Sequence, residues 1–318
     1  MSRTSLPFQP GDVSAPARSL NGQFAGCELG PNHVEPSMLP TLRGPVEYAS
    51  LGTGPAVLAL HGAMGGYDQG LILARTACSQ EYRSISVSRP GYLKTPLTSG
   101  RSPEEQADLC AGLIDELGVD DVAVVAVSGG GPTALQFALR HPDRCRGLVM
   151  ISAATAKVEA RLPLAWYVMK IMARIPAARE QMRKKATSDL EGAARRSFPD
   201  PSHCAQFLQD PEARVLFAEL QSSVFGQMPQ RLPGTKNDIF QTRSNSFDQL
   251  PLEKIAVPVL AVHGTADQVA PFAKNAQRFV ERVPGARLLA IEGGEHACLF
   301  SHRNQIRARV IDFLSGIS

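Results

Sequence analysis

The chain has 318 residues, of which 43% are hydrophobic and 20% charged, and its formal net charge at pH 7 is +3. This length and composition exclude a disordered chain and fit one large packed domain with an insertion. The small net charge and the scattered basic residues argue against nucleic-acid binding.

The six cysteines show neither a C-x-x-C pair nor regular spacing, so we expect free thiols and neither a metal site nor a disulfide framework. No stretch resembles a signal peptide or reaches the roughly 18 apolar residues that a membrane-spanning helix needs. We therefore predict a cytoplasmic protein without membrane insertion. Composition leaves the oligomeric state open.

The first part of the chain divides into an arm and a series of short strands. Residues 1–42 are rich in Pro, Gly and Ser and predict a loosely packed N-terminal arm. Strand patterns follow at 56–60, 84–88 and 122–127. The last of these is apolar without alternation, as expected of a strand that is covered on both faces.

A helix is predicted between the second and third of these strands. Ser102 can cap it, Pro103 suits its first position, and Glu105 can complete a capping box. Gly118 marks its end. Its apolar face has helical spacing and consists of Cys110, Leu113, Ile114 and Leu117.

The alternation of strands and helices is interrupted once. A helix at 132–141 and a strand at 147–152 are followed by residues without a strand pattern, before strands return at 257–264 and 286–291 and a helix ends the chain. Repeated βα units predict an α/β fold with a mostly parallel sheet. The predicted core comprises 43–154 and 248–318, and 155–247 form a helical insertion.

Ser128 stands between the apolar strand 122–127 and three consecutive glycines. In open α/β sheets the ligand crevice lies at the carboxyl ends of the strands, where this serine is expected. A strand, a serine and a helix in close succession form a nucleophile elbow, usually written G-x-S-x-G. Here it reads A-x-S-x-G, with Ala126 at the first glycine's place.

The elbow segment "VAVSGGGPTALQFALRHPDRCRGLVMIS" resembles the α/β-hydrolase superfamily. Four further segments match in the expected order: "LALHGAMGG", "SVSRPGY", "HGTADQVAP" and "EGGEHACLF". The resemblance covers about 46–314, excluding much of the insertion. Besides Ala126, one departure is Ser88, where many relatives have Asp before Arg-Pro-Gly. Neither departure removes a reacting group.

A serine hydroxyl is a weak nucleophile, so it needs a base and a third group that orients the base. His296 follows the strand at 286–291 in a glycine-rich loop and is the candidate base. Asp267 follows the strand at 257–264 and is the candidate acid. The chain order Ser, Asp, His is the order that this fold uses.

Each candidate also has a structural alternative. Ser128 could be a small turn residue, Asp267 could cap the helix that follows it, and His296 could be a surface histidine. Glu292 and Glu295 are alternative acids, but they lie too near His296 along one loop to hold its far nitrogen easily.

Two backbone N–H groups are expected to stabilise the negative charge that builds on the carbonyl oxygen. One belongs to Gly129, at the start of a helix. By resemblance, the other belongs to Ala63, with Met64 as its neighbour. A phosphate loop is the alternative for "HGAMGG", but the P-loop pattern is missing. His61 and His263 precede glycines at strand ends and are expected to be structural.

By resemblance, the insertion is a cap over the active site. Trp166 and Tyr167, together with Met64, are candidate pocket residues, and they offer an apolar, adaptable surface. This composition favours an apolar small-molecule ester over an N-terminal peptide. Packing of the cap onto the core is the alternative role of these residues.

The sequence therefore predicts a cofactor-independent, metal-free serine hydrolase, carboxylesterase-like, acting through Ser128, His296 and Asp267. Alternatives with the same triad are amide or peptide cleavage, carbon–carbon bond hydrolysis and peracid formation of the metal-free haloperoxidase type. A non-catalytic ligand-binding protein is an alternative from another class. Epoxide hydrolases and haloalkane dehalogenases carry Asp at the elbow, which argues against both.

Overall fold

A computed structural model describes residues 34–157, 164–244 and 249–317, except for the side chains of residues 164–166, 169 and 244. Most of the expected N-terminal arm, residues 1–33, therefore lies outside the described residues. The described chain is an α/β structure built on one sheet.

The sheet has eight strands in the order β1-β2-β4-β3-β5-β6-β7-β8. β2 is antiparallel to both of its neighbours, and all pairings from β4 to β8 are parallel. The predicted mostly parallel sheet is thus confirmed. The strands are β1 Ser37–Thr41, β2 Gly44–Leu51, β3 Ala56–Leu60, β4 Arg83–Val87, β5 Val122–Val127, β6 Cys145–Ile151, β7 Val259–Gly264 and β8 Arg287–Ile291.

The first strand lies inside the segment that the sequence assigns to the arm. β1 begins at Ser37 and pairs with β2, from Ser37 opposite Tyr48 to Thr41 opposite Gly44. β1 is an edge strand, so Pro40 needs no ladder bond on its open side and is tolerated there. The sheet therefore begins before residue 43, where the sequence places the start of the core.

Helices cover both faces of the sheet and fill the insertion. All helical segments in 164–244 lie between β6 and β7, and this stretch contains no strand. The helices are α1 Tyr67–Ala77, α2 Pro103–Glu116, α3 Gly131–Arg140, α4 Leu164–Met172, α5 Pro176–Ser188, α6 Leu190–Ser197, α7 Pro201–Gln209, α8 Pro211–Gly226, α9 Met228–Ser244, α10 Arg278–Arg282, α11 Cys298–Ser301 and α12 Arg303–Ser315.

The predicted start of α2 is confirmed. Ser102 Oγ accepts from the backbone N–H of Glu105, and the Glu105 carboxylate accepts from the backbone N–H of Ser102. Pro103 occupies the first turn, where its missing N–H costs no helix bond.

Two apolar layers hold the helices on the sheet. Alternate residues of each central strand point to opposite faces, so Leu58 and Val124 belong to one layer and Val57 and Val125 to the other. The second layer also takes in three aromatic side chains of the insertion: Phe198, Phe207 and Phe217. This shared layer packs the middle of the insertion against the core.

The five described cysteines are buried and unpaired: Cys78, Cys110, Cys145, Cys204 and Cys298. Burial raises the pKa of the Cys78, Cys110, Cys145 and Cys298 thiols to about 12, which keeps them protonated and unreactive. Cys27 lies outside the described residues. None of the described helices has the length and apolar character that crossing a bilayer requires. The cytoplasmic location stays a prediction.

The turn between β5 and α3 runs close to neighbouring backbone, and glycine makes this possible. A β-carbon at Gly130 would lie 2.5 Å from the carbonyl oxygen of Leu60, and one at Gly131 would lie 2.5 Å from that of Ala154. Backbone atoms cannot move aside as a flexible side chain can. These contacts fix the point at which the turn after β5 passes into α3.

We expect Gly130→Ala to lower the free energy of unfolding by about 2 kcal/mol or more, because the added methyl group overlaps β3 backbone. Urea-induced unfolding measures this loss. Gly226→Ala is the matched control, since a β-carbon there meets no described atom within 4 Å. Equal stability of the two variants would show that the close crossing is absent in solution.

Candidate active site

Ser128 begins the turn that follows β5, and its backbone is strained. Its φ is +51°, in the left-handed region that side chains other than glycine seldom adopt. A β-carbon at Gly62 would lie 3.0 Å from Ser128 Cβ, so the loop after β3 passes directly beside the serine. Ser128 is partly exposed. The turn thus presents the hydroxyl at the carboxyl edge of the sheet.

The side chains of Ser128, His296 and Asp267 form one hydrogen-bonded chain. His296 Nε2 lies 3.0 Å from Ser128 Oγ, and His296 Nδ1 lies 2.7 Å from Asp267 Oδ2. The three residues follow β5, β8 and β7, which are parallel and end at the same edge of the sheet. The structure therefore brings the three predicted residues together.

The Asp267 carboxylate is fully buried and receives hydrogen bonds at both oxygens. Oδ1 accepts from the backbone N–H groups of Val269 and Ala270, while His263 Nε2 lies 3.2 Å from Oδ2. Burial by itself would raise the pKa of Asp267, but the hydrogen bonds from His263 and His296 outweigh it and hold this pKa far below its usual range. Asp267 is therefore ionised at neutral pH.

Asp267 Oδ1 closes the turn at 267–270, which precedes the helix that the structural alternative has it cap, while Oδ2 faces His296. The alternative acids are placed elsewhere. Glu295 contacts His203 and the backbone N–H of Asp200, and Glu292 is exposed. Neither carboxylate has a hydrogen bond to His296 within the described residues.

The expected N–H donors also lie side by side. A β-carbon at Gly129 would lie 3.2 Å from the backbone nitrogen of Ala63, so glycine leaves room for that nitrogen to approach the turn after Ser128. Gly129 lies in the first turn of a short 3-10 helix that continues into α3, where amide groups lack helical partners. The backbone of Ala63 therefore lies next to that of Gly129, beside the serine.

His61 holds the loop that carries Ala63. Its Nε2 accepts from the backbone N–H of Arg89 at 3.1 Å, so Nδ1 carries the proton and donates to Gly62 O at 2.6 Å. Burial, and after it the Arg89 charge, lower the pKa of His61 well below the ordinary value. The ring is thus neutral and structural, as the sequence predicts.

Three residues near this loop were missed by sequence reasoning: Arg89, Thr235 and Asp238. Arg89 stands in the "SRPGY" segment, which marks a turn but says nothing of a partner. Thr235 and Asp238 lie on α9 and contact the core at Met64 and Arg89, more than 140 positions away in sequence. No local pattern signals such pairs.

Of the predicted pocket residues, Met64 is partly buried next to Ala63. Tyr167 lies on α4 with 52% of its surface exposed. The side chain of Trp166 lies outside the described part of the chain. Their role in a substrate pocket stays a prediction.

Comparison with known proteins agrees with this architecture. Residues 55–302 match the protein family described as "alpha/beta hydrolase fold". A solved α/β hydrolase fold protein from Nakamurella multipartita superposes with a TM-score of 0.78 at 31% sequence identity, covering 88% of this chain and 99% of that one. The chain therefore belongs to the α/β-hydrolase family.

Two curated relatives are similar over most of their length. An uncharacterized hydrolase, YcgS, of Bacillus subtilis is 29% identical over 80% of this chain and 88% of its own. A pimeloyl-[acyl-carrier protein] methyl ester esterase of Neisseria meningitidis is 26% identical over 73% of this chain and 83% of its own. The family and these relatives identify the protein as a hydrolase.

The strain at Ser128 predicts an unusual order of stability between two variants that both lack the hydroxyl. Ser128→Gly should be more stable than Ser128→Ala by about 0.5 to 1 kcal/mol, because only glycine adopts the left-handed backbone without cost. Urea unfolding of both variants measures the difference.

The control is Ser223 in the interior of α8, where the order should reverse, since glycine costs about 1 kcal/mol relative to alanine in a helix. Ser128→Ala being the more stable variant would contradict a strained turn.

Proposed function

We propose that the chain is a serine hydrolase that cleaves carboxylic esters of mainly apolar small molecules through an acyl-enzyme on Ser128. The observation that carries this proposal is the hydrogen-bonded chain from Ser128 Oγ through the His296 ring to the buried Asp267 carboxylate, with distances of 3.0 and 2.7 Å. In acyl transfer such a chain supplies a nucleophile, a base and an acid that orients the base.

The ionised Asp267 decides the tautomer of His296. A carboxylate only accepts hydrogen bonds, so Nδ1 carries the proton and Nε2 keeps a lone pair towards Ser128. Nε2 takes the hydroxyl proton as Oγ attacks the ester carbonyl, and the resulting imidazolium gives this proton to the departing alcohol. A water molecule then repeats the two proton transfers and releases the acid.

The ester oxygen gains negative charge when Oγ bonds to the carbonyl carbon. The N–H groups of Ala63 and Gly129 are the donors that would receive it. Donors fixed before the reaction starts are worth roughly 3 to 4 kcal/mol each in comparable sites. Met64, next to Ala63, offers a flexible apolar wall for the acyl chain.

Two observations favour a neutral ester as substrate. The Neisseria meningitidis relative is a methyl ester esterase. The two buried arginines around the Ala63 loop are already paired, Arg89 with Asp238 and Arg231 with Asp68. Neither arginine is therefore available to bind a carboxylate of an anionic substrate.

The other reactions open to this triad need the same nucleophile, so labelling alone does not separate them. Rates on p-nitrophenyl esters of graded acyl length, measured beside a peptide amide, distinguish an esterase from an amidase. A ligand-binding protein without turnover has no use for a base aligned on Ser128, which disfavours that alternative.

A fluorophosphonate should modify the protein once, at Ser128, and Ser128→Ala should lower kcat for p-nitrophenyl esters by about four to six orders of magnitude. Mass spectrometry locates the label. Ser152→Ala is the matched control, since Ser152 also directly follows a central strand and has a φ of +43°. Ser128 would be excluded as the nucleophile if the folded Ser128→Ala variant were still labelled, or if it kept half of the wild-type activity.

On its acid side, the pH profile of kcat/KM should reflect the uptake of a single proton. Protonation of His296 removes the base, whereas the lowered pKa of Asp267 keeps its carboxylate ionised down to and below the ordinary value of 3.8. Log kcat/KM for an ester should therefore fall with unit slope on the acid side. A slope of two above pH 3.8 would mean that Asp267 takes up a proton as well.

A further inference from the structure

Helix α9 of the insertion is linked to the loop that carries the Ala63 N–H in two ways, directly through Thr235 and indirectly through Arg89. Thr235 Oγ1 accepts from the backbone N–H of Met64 at 2.9 Å. Asp238 binds the Arg89 guanidinium at 2.9 and 2.6 Å, and Arg89 in turn donates to carbonyl oxygens of this loop. A helix more than 160 positions along the chain is thus tied to the loop beside Ser128.

The peptide between Gly62 and Ala63 is held by its oxygen. Gly62 O accepts from His61 Nδ1 at 2.6 Å and faces Arg89 Nη2 at 3.4 Å. In a trans peptide the C=O and N–H bonds point in opposite directions, so anchoring the oxygen aims the Ala63 N–H away from it. Donors on the oxygen also polarise the peptide, which strengthens its N–H as a donor.

Asp238 keeps Arg89 in place. The Arg89 side chain is 2% exposed, and Tyr92 Oη adds a hydrogen bond to Asp238 Oδ2 at 2.5 Å. Burial would lower the pKa of Arg89, but the Asp238 charge outweighs it and raises this pKa above the usual value. The guanidinium is therefore a fixed cation, whose Nε also donates to His61 O at 3.1 Å.

Thr235 fixes the next peptide. Met64 has a φ of +58°, a conformation that neighbouring contacts must maintain in a residue with a side chain. The Thr235 hydroxyl accepts a hydrogen bond from the Met64 N–H and donates one to Arg231 O at 2.9 Å. These two bonds fix its orientation. Arg231 is itself fully buried and paired with Asp68 at the start of α1.

We propose that α9 positions the Ala63 oxyanion donor, with Thr235 acting through Met64 and Asp238 acting through Arg89. This inference rests on the proposed function. Both are positioning residues that are not expected to touch the substrate. The insertion then has a part in stabilising the transition state, in addition to any part in covering the substrate.

The test compares Thr235→Val with two other variants on the same helix. Valine keeps the shape of threonine but cannot accept from Met64. Thr235→Ser restores the hydroxyl. Thr242→Val is the matched control, because Thr242 is a buried threonine of α9 that also donates to the carbonyl four residues earlier but has no bond to the loop.

The measurements separate the oxyanion from the substrate in its ground state. An aliphatic trifluoromethyl ketone accepts a bond from Ser128 Oγ, with the proton passing to His296, and becomes a tetrahedral oxyanion. The methyl ketone of the same chain length remains a carbonyl. Transition-state analogues register contacts that ground-state ligands do not.

Thr235→Val should lower kcat/KM for a p-nitrophenyl ester about 10-fold and raise Ki of the trifluoromethyl ketone by a similar factor, less than the loss of about 100-fold or more for removal of a donor itself. Ki of the methyl ketone should change by less than about twofold, because this ligand forms no oxyanion for the Ala63 N–H to stabilise. Thr235→Ser should recover most of the loss, and Thr242→Val should resemble the wild type.

Asp238→Asn is a second variant, but it leaves a buried guanidinium without a counter-charge and can fail to fold, so Thr235→Val decides. Equal effects of Thr235→Val and Thr242→Val, or equal changes in Ki for both ketones, would overturn the positioning role while leaving the hydrolase assignment intact. A wild type that neither hydrolyses esters nor binds the trifluoromethyl ketone would overturn both.

Discussion

The buried carboxylate of Asp267 is the point on which the arrangement of the site depends. Two backbone N–H groups of its own turn and His296 donate to it, and His263 Nε2, which also donates to Ala270 O, lies 3.2 Å from its Oδ2. A buried charge is tolerated only when it is satisfied in this way. The same contacts that make burial possible join the loop after β7 to the loop after β8, and so hold the imidazole against Ser128.

Much of this arrangement follows from local sequence patterns. An apolar strand followed by a small-residue turn locates Ser128, and the rule that parallel strands share one edge places the loops of Asp267 and His296 beside it. The capping box at Ser102 and Glu105 is also predictable from the sequence, because all of its partners lie within one helical turn. The catalytic and donor roles of these residues remain proposals.

Other structural features depend on partners that are distant in sequence, so no local sequence pattern predicts them. β1 is found only because it pairs with β2, since its composition is that of a loop. Ser88 stands where many relatives have an acid, and its hydroxyl donates to Glu47 Oε2 and accepts from the Tyr67 N–H, so β2 supplies the carboxylate. The contacts of Thr235 and Asp238 with the core belong to the same class.

The attachment of α9 divides the insertion into parts that differ in their freedom to change. α9 carries buried ion pairs and backbone hydrogen bonds to the core, including Gly234 N–H to Gly91 O and Leu93 N–H to Gln230 O. α4 instead presents several half-exposed apolar residues. Exchanging the described residues of α4 therefore disturbs fewer buried contacts with the core than shifting the register of α9 would, so evolution has more room to vary α4 than α9.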